Sequence, residues 1–230
     1  MYLSNWRLFA SVDISAPLTL VWDALTDYEN LGTFIPSLVE NRCLSRKERS
    51  AVLYQVGAQD VAMGVKFCAT CTLECTEYLE GVPEWMVAAE SDLNDVLFPT
   101  PKVGDLTQTA VQAAATLLGA SSTSTYLSAF SVESVDGASQ AASAPRDITF
   151  RLLEGDFKAF KGIWRMHART GADQLDGTRL SYSLYVQPQP WLPAGLIQGR
   201  IEKEIVRNLE AVRAHTEMQI KGLKALRVVA

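Results

Sequence analysis

Few residues of this chain are spaced for chemistry. Cys68-Ala69-Thr70-Cys71 has the C-x-x-C spacing that serves zinc binding or dithiol exchange. On an extended strand, side chains three apart point to opposite faces, so the two thiols cannot hold one metal without an intervening turn. No second C-x-x-C and no His pair supplies the four ligands of a structural zinc site, and no metal is expected. With Cys43 and Cys75 these cysteines show no extracellular disulfide framework. His167 and His215 are the only histidines. The first falls on the polar side of a strand and the second near the end of a helix, so both read as surface or helix-end residues rather than as proton carriers. Asp27 and Glu29 on the first helix, and Glu154 and Asp156 at a turn, read as capping or solvated carboxylates and not as an acid–base pair. Gly155, Gly162 and Gly171 lack phosphate-loop spacing. No catalytic residue and no cofactor is expected, and little in the chain points to an enzyme.

The elements that position these residues follow from hydrophobic periodicity. Trp6 to Ile14 alternates loosely and predicts a first strand. Ser15-Ala16-Pro17 is a helix start, with Pro17 where the first turn lacks N–H partners. A stripe of Val21, Trp22, Leu25 and Tyr28 predicts a helix near 17–29, followed by a short one near 30–35. Residues 37–45 and 51–59 predict a strand pair joined across Arg46-Lys47-Glu48-Arg49, a basic turn that reads as a solvated hairpin tip. A long strand is expected over 64–78, with Val65, Phe67, Ala69, Cys71, Leu73 and Cys75 on one face.

The last third carries the clearest pattern. A strand from Asp147 places Ile148, Phe150 and Leu152 on one side and turns at Gly155-Asp156. Phe160, Gly162, Trp164, Met166 and Ala168 then alternate with Lys161, Arg165, His167 and Arg169, giving one buried and one wet face. Leu180, Tyr182, Leu184 and Val186 repeat the period until Pro188, Pro190 and Pro193 end it. Ile197, Ile201, Ile205, Leu209 and Val212 recur at helical spacing, against the polar neighbours Gln198, Glu202, Lys203, Arg207 and Asn208. The order is strand, two short helices, six strands, long helix. This is an α+β helix-grip arrangement, a curved antiparallel sheet wrapped around a C-terminal helix.

Composition narrows the function. The chain has 230 residues, 48% hydrophobic and 20% charged, with a net charge of −5. The acidic balance argues against nucleic acid. No apolar run approaches the roughly 20 residues needed to span a bilayer. The N-terminal residues lack both a signal peptide's apolar core and a transit peptide's Arg/Ser-rich character, which leaves a cytoplasmic protein or a mature form whose address has been removed. Residues 80–147 interrupt a single domain spanning 1–230. They are rich in Ala, Ser and Thr and hold nine acidic against two basic residues, net −7, leaving +2 elsewhere. Within them Asp105 to Leu118 is a helix candidate, and the rest reads as a low-complexity insertion, a decoration or loop more than a working lid.

Several blocks resemble a known group. VWDALTDYENLGTFIPSL is similar to the opening of the START-like polyketide cyclase/dehydrase and lipid-transport superfamily. EGDFKAFKGIWRM, GTRLSYSLYVQP and WLPAGLIQGRIEKEIVRNLEAVR resemble its coenzyme Q-binding branch, as found in plants, algae and cyanobacteria. The likeness covers residues 6–79 and 147–215, and residues 80–147 have no counterpart in it. It implies a helix-grip fold enclosing a cavity and, through the plant and algal members, a plastid location; the residues themselves leave the compartment open.

Small side chains beneath a long helix leave room for an apolar ligand. The expected lining is Phe67, Cys71, Phe160, Gly162, Trp164, Met166, Tyr182, Leu184, Ile197, Ile201 and Ile205, a set with no Asp, Glu, Lys, Arg or His. Trp191 and Leu192, flanked by prolines, are expected to gate the cavity or to touch a membrane surface, where Trp is favoured; the tail KGLKALRVVA is basic and apolar. The chain thus reads as a binding protein for a hydrophobic small molecule, an isoprenoid quinone, lipid or pigment-like compound. The alternative is a non-catalytic assembly protein that docks a partner through the acidic insertion. Under the first reading, Trp in place of Gly162 is expected to abolish ligand retention while leaving the fold.

Overall fold

Among the described residues, alternating apolar and polar side chains build seven strands, and a long amphipathic helix covers them. The computed structural model describes residues 6–62, 65–83, 86, 144–170, 176–190 and 194–229; the side chains of 6, 59–62, 65–67, 170, 176, 194–200, 224 and 226–229 lie outside the description. The chain divides into one unit, Met1–Leu97 with Ser143–Ala230, and a second, Phe98–Ala142, and every described residue belongs to the first. The expected helix over 105–118 and the acidic insertion as a docking surface therefore lie outside the described residues.

The elements run β1 (Trp6–Ile14), α1 (Leu18–Thr26), a 3-10 turn (Leu31–Thr33), β2 (Leu38–Lys47), β3 (Ser50–Ala62), β4 (Val65–Tyr78), β5 (Arg146–Gly155), β6 (Phe157–Thr170), β7 (Asp176–Pro188) and α2 (Ala194–Val229). The strands form one antiparallel sheet in the order β1-β7-β6-β5-β4-β3-β2. Strands β2 to β7 are thus a continuous meander, and β1 closes on the far edge beside β7, in register from Trp6↔Val186 to Ile14↔Thr178. The sheet curves around α2 in the expected α+β helix-grip arrangement.

α1 is shorter than the periodicity implies. It buries Val21, Trp22, Ala24 and Leu25 and stops at Asp27, whose carboxylate accepts two hydrogen bonds from Asn30 Nδ2 at 2.9 and 3.0 Å. That local closure competes with further helix. α2 lies across the concave face with Ile205, Leu209 and Val212 buried. Three contacts set its position along the sheet. Ser37 Oγ donates to Asn208 Oδ1 at 3.0 Å, the Phe34 and His215 rings stack at 4.2 Å, and Ser15 N donates to Glu217 Oε1 at 3.0 Å.

The β2–β3 turn needs only Glu48 and Arg49; Arg46 to Arg49 are exposed, as expected of a hairpin tip, but two of its cations also have partners. Arg46 reaches Glu77 at 3.3 Å and the Thr26 carbonyl at 2.6 Å, and lies 4.7 Å over the Tyr28 ring; Arg49 approaches Glu77 at 3.9 Å. The Glu77 side chain is only 3% exposed, and a carboxylate held there requires paired charge. At the β5–β6 turn, Gly155 has φ +153°, and a side chain on it would overlap the Thr70 carbonyl. Asp156 then extends the pairing: its N donates to Thr70 O at 2.9 Å and its Oδ2 accepts from Thr70 N at 2.7 Å.

The outer face of β5 to β7 is less wet than alternation implies, since Ile163, Ser181 and Ser183 are buried there. One reason is that the chain after β4 folds back over β5. Asp147, fully buried, accepts from Val82 N at 2.8 Å and from Arg165 Nε and Nη2 at 2.8 and 2.7 Å. Asp147→Ala removes all three bonds at a buried carboxylate and should lower the unfolding free energy by about 3 kcal/mol, read as a lower urea midpoint at unchanged slope.

Candidate ligand-binding site

Between the concave face and α2 lies a cavity of about 230 Å³. Its floor comes from inward positions of consecutive strands: Leu53, Gln55 and Gly57 of β3; Ala69, Cys71, Leu73 and Cys75 of β4; Ile148 and Phe150 of β5. Phe157, Phe160, Trp164, Tyr182 and Leu184 continue it on β6 and β7. Leu25, Tyr28, Leu31 and Ile35 close one side, and Ile201, Glu204, Ile205 and Asn208 of α2 form the roof. Gly57 and Ala69 face each other across β3 and β4, and their small size opens the floor.

Five aromatic rings form a continuous wall. Centroids lie 5.3 Å apart for Phe157–Phe160, 5.7 Å for Phe160–Phe150, 5.7 Å for Phe150–Tyr182 and 4.0 Å for Tyr182–Trp164. Such pairs contribute about 0.5–1.5 kcal/mol each beyond area burial, so the wall is largely preformed. Burial pushes the Cys71 and Cys75 thiols up to about 12, which keeps both neutral and unreactive at physiological pH.

Of the residues expected to line the cavity, Cys71, Phe160, Trp164, Tyr182, Leu184, Ile201 and Ile205 are on its wall. The side chains of Phe67 and Ile197, and all of Trp191 and Leu192, lie outside the described residues. Gly162 and Met166 are not on the wall. The Phe150 ring folds over Gly162 and occupies the space its missing side chain leaves, while Met166 is fully buried in the core. Ala168 is exposed. The expected effect of Trp at Gly162 is therefore corrected: any Cβ there overlaps both Phe150 and the backbone oxygen of Ser183, so substitution disturbs the sheet itself. Gly162→Ala should already lower stability by about 1–3 kcal/mol, seen as a lower melting temperature.

The expectation of a wall without titratable groups is also corrected. Glu204 is on the roof, and Oε2 of its carboxylate is buried without a hydrogen-bond partner among the described residues; Oε1 meets Arg207 at 3.2 Å. Asn208, read as an outward residue, lines the cavity too. The signal was present in the spacing, since Ile201, Glu204, Ile205 and Asn208 are i, i+3, i+4 and i+7 on one helix face. Tyr28, read only as part of a helical stripe, also reaches the cavity. Its buried hydroxyl lies against the Glu77 carboxylate, which does not line the cavity. Burial chiefly, then the neighbouring Cys75 and Glu77, raises the Tyr28 pKa, so the group stays a neutral O–H. The histidines are elsewhere: His167 is half-buried, its pKa lowered by burial and Arg165, and His215 stacks on Phe34.

A sequence model described as polyketide cyclase / dehydrase and lipid transport matches residues 14–213. The chain belongs to this family. A search among curated proteins gives no match. Within the polyketide cyclase / dehydrase and lipid transport family's fold, the chain is similar to the Zhui aromatase/cyclase from Streptomyces sp. R1128, with TM-score 0.53 and 14% identity over 94% of this chain and 96% of that one. It is similar also to a protein from Thermus thermophilus, with TM-score 0.50 and 16% identity over 95% and 99% of the two chains. A START superfamily protein from Mycobacterium smegmatis gives TM-score 0.50 and 10% identity over 93% and 98%. At these identities the likeness carries the fold alone. Family membership adds a coarse function, binding of a hydrophobic ligand.

Burial raises the Glu204 pKa against the opposing pull of Arg207. A carboxyl whose pKa is higher folded than unfolded binds its proton more readily in the native state, so its ionisation destabilises the fold as pH rises. Glu204→Gln should therefore stabilise the ligand-free protein at pH 7, and the difference should close as pH falls below the unfolded carboxyl value of about 4.3. Thermal denaturation across pH 4–8 measures it.

Proposed function

We propose that this protein is a non-enzymatic carrier that holds a hydrophobic small molecule between the sheet and α2. The observation that carries the proposal is the cavity itself, apolar and aromatic over most of its wall and placed where the helix-grip fold leaves space. Each 100 Å² of apolar ligand surface moved into it contributes about 2.5 kcal/mol, before the cost of immobilising the ligand. Within the class of hydrophobic ligands, the likeness of three sequence blocks to the coenzyme Q-binding branch supports an isoprenoid quinone, with a lipid or pigment-like molecule as neighbours in chemistry. Mass spectrometry of an organic extract of the gently purified protein tests this. A stoichiometric quinone, lipid or pigment supports the carrier, and an empty, folded protein overturns it.

A second reading, acid–base chemistry on a bound ligand, is favoured by one observation, the Glu204 carboxyl facing the cavity with a raised pKa. Recovery of the ligand unchanged after prolonged incubation separates binding from conversion.

Ala69 is the position at which to fill the cavity. It lies on the floor, on the inward face of β4, and is only partly buried. Ala69→Trp should lower ligand retention by about tenfold or more while moving the melting temperature by only a few degrees, because the ring enters space that the fold leaves open. Native mass spectrometry and thermal denaturation of the same sample measure both.

A further inference from the structure

The cavity roof carries two polar side chains on one helix face, Glu204 and Asn208. They are i and i+4 on α2, so the helix itself fixes their spacing, with Cβ atoms about 5–6 Å apart. Each has bonding capacity left over. Glu204 Oε1 meets the exposed Arg207 at 3.2 Å, and Oε2 is buried with no hydrogen-bond partner among the described residues. Asn208 Oδ1 accepts from Ser37 Oγ at 3.0 Å, and its amide nitrogen makes no hydrogen bond among the described residues. One turn of the helix thus offers an acceptor and the next a donor. Buried polar atoms are nearly always paired, so a spare carboxylate oxygen above an otherwise apolar cavity points to a partner that arrives with a ligand.

We propose that Glu204 and Asn208 together read one hydroxyl group of the ligand, whose O–H donates to Glu204 Oε2 and whose oxygen accepts from the Asn208 amide. This rests on the cavity being a ligand site and narrows its occupant to an alcohol or phenol on an apolar body. Hydrogen bonds of about 2.7 and 2.9 Å meeting at one oxygen reach across the gap between adjacent turns. Other head groups fit less well. An ether or ketone leaves Oε2 without a donor, and a carboxylate meets the like charge of Glu204. An ammonium would lose its hydration beside a carboxylate that Arg207 already meets. The aromatic wall, with Tyr182 and Trp164 at 4.0 Å, holds the apolar body without distinguishing head groups, so that choice falls to the roof. The rival explanation is that Asn208 only anchors Ser37 and that solvent satisfies Glu204 whatever is bound; it predicts no preference among ligands of similar shape.

The experiment is fluorescence titration of the full chain with 2-hydroxynaphthalene, 2-methoxynaphthalene and 2-methylnaphthalene. The first donates and accepts, the second only accepts, and the third does neither. Wild-type protein should bind the hydroxyl probe roughly 10- to 100-fold more tightly than the methoxy probe, as expected for a hydrogen bond to a charged group. That preference should vanish in Glu204→Leu. In Glu204→Gln, which keeps the shape and a neutral acceptor, it should shrink to a few-fold, so the test survives if the Leu variant does not fold. Asn208→Leu should weaken the hydroxyl probe by about two- to tenfold and leave the methyl probe unchanged, whereas a purely structural role would weaken all three alike. Thermal denaturation checks that each variant is folded. Equal binding of the hydroxyl and methoxy probes, or a preference that persists in full in the folded Glu204 variants, overturns the hydroxyl proposal and leaves the carrier reading standing. A loss equal for all probes in Asn208→Leu overturns the part given to Asn208. Failure of folded wild-type protein to bind any of the three overturns the carrier reading as well.

Discussion

The molecule depends on one constraint: a long helix must span a concave sheet without sinking into it. The apolar stripe of α2 drives the contact, and Ile205, Leu209 and Val212 are buried by it. Hydrophobic attraction alone has no preferred depth or register. These are set by directional contacts between α2 and the segments around α1, the Ser37–Asn208 and Ser15–Glu217 hydrogen bonds and the Phe34–His215 stack. The helix is thus pinned between Asn208 and Glu217 to chain outside the sheet, and the space beneath its N-terminal half persists as a cavity.

The sheet contributes shape through close backbone approach. At Gly162 no side chain fits between the strand and the Phe150 ring, and this lets Phe150 lie down and join Phe160 to Tyr182 in one aromatic wall. At Gly155 the backbone of β4 comes so near that Asp156 can bond Thr70 in both directions. These glycines act by what they leave out.

Charge is sorted between the two faces. Outside, carboxylates and guanidiniums form pairs, Asp147 with Arg165, Asp13 with Arg169 and Arg179, Glu74 with Arg151. Glu77 is drawn inward yet is held by Arg46 and Arg49 from the neighbouring hairpin. On the cavity roof Glu204 keeps one buried oxygen without a hydrogen-bond partner among the described residues.

The chain's own periodicities determined the seven strands, their antiparallel meander and the covering helix, because a period of two or of 3.6 is a local property that each segment declares alone. They also placed Cys71, Phe160, Trp164, Tyr182, Leu184, Ile201 and Ile205 on the inward faces. What periodicity could not decide was how far inward a residue reaches. Asn208 shares a helical face with Ile201 and Ile205, but its polarity sorts it outward, and Glu204 on the same face is missing from the expected lining; only the curvature of the sheet beneath brings both to the cavity. Gly162 read as room for a ligand and became room for Phe150, a residue twelve positions earlier on the neighbouring strand. Arg46 read as a hairpin tip and became the partner of a glutamate 31 residues away. Side-chain direction belongs to the segment; what fills the space it points into belongs to the packing of distant segments, and that is decided only in three dimensions.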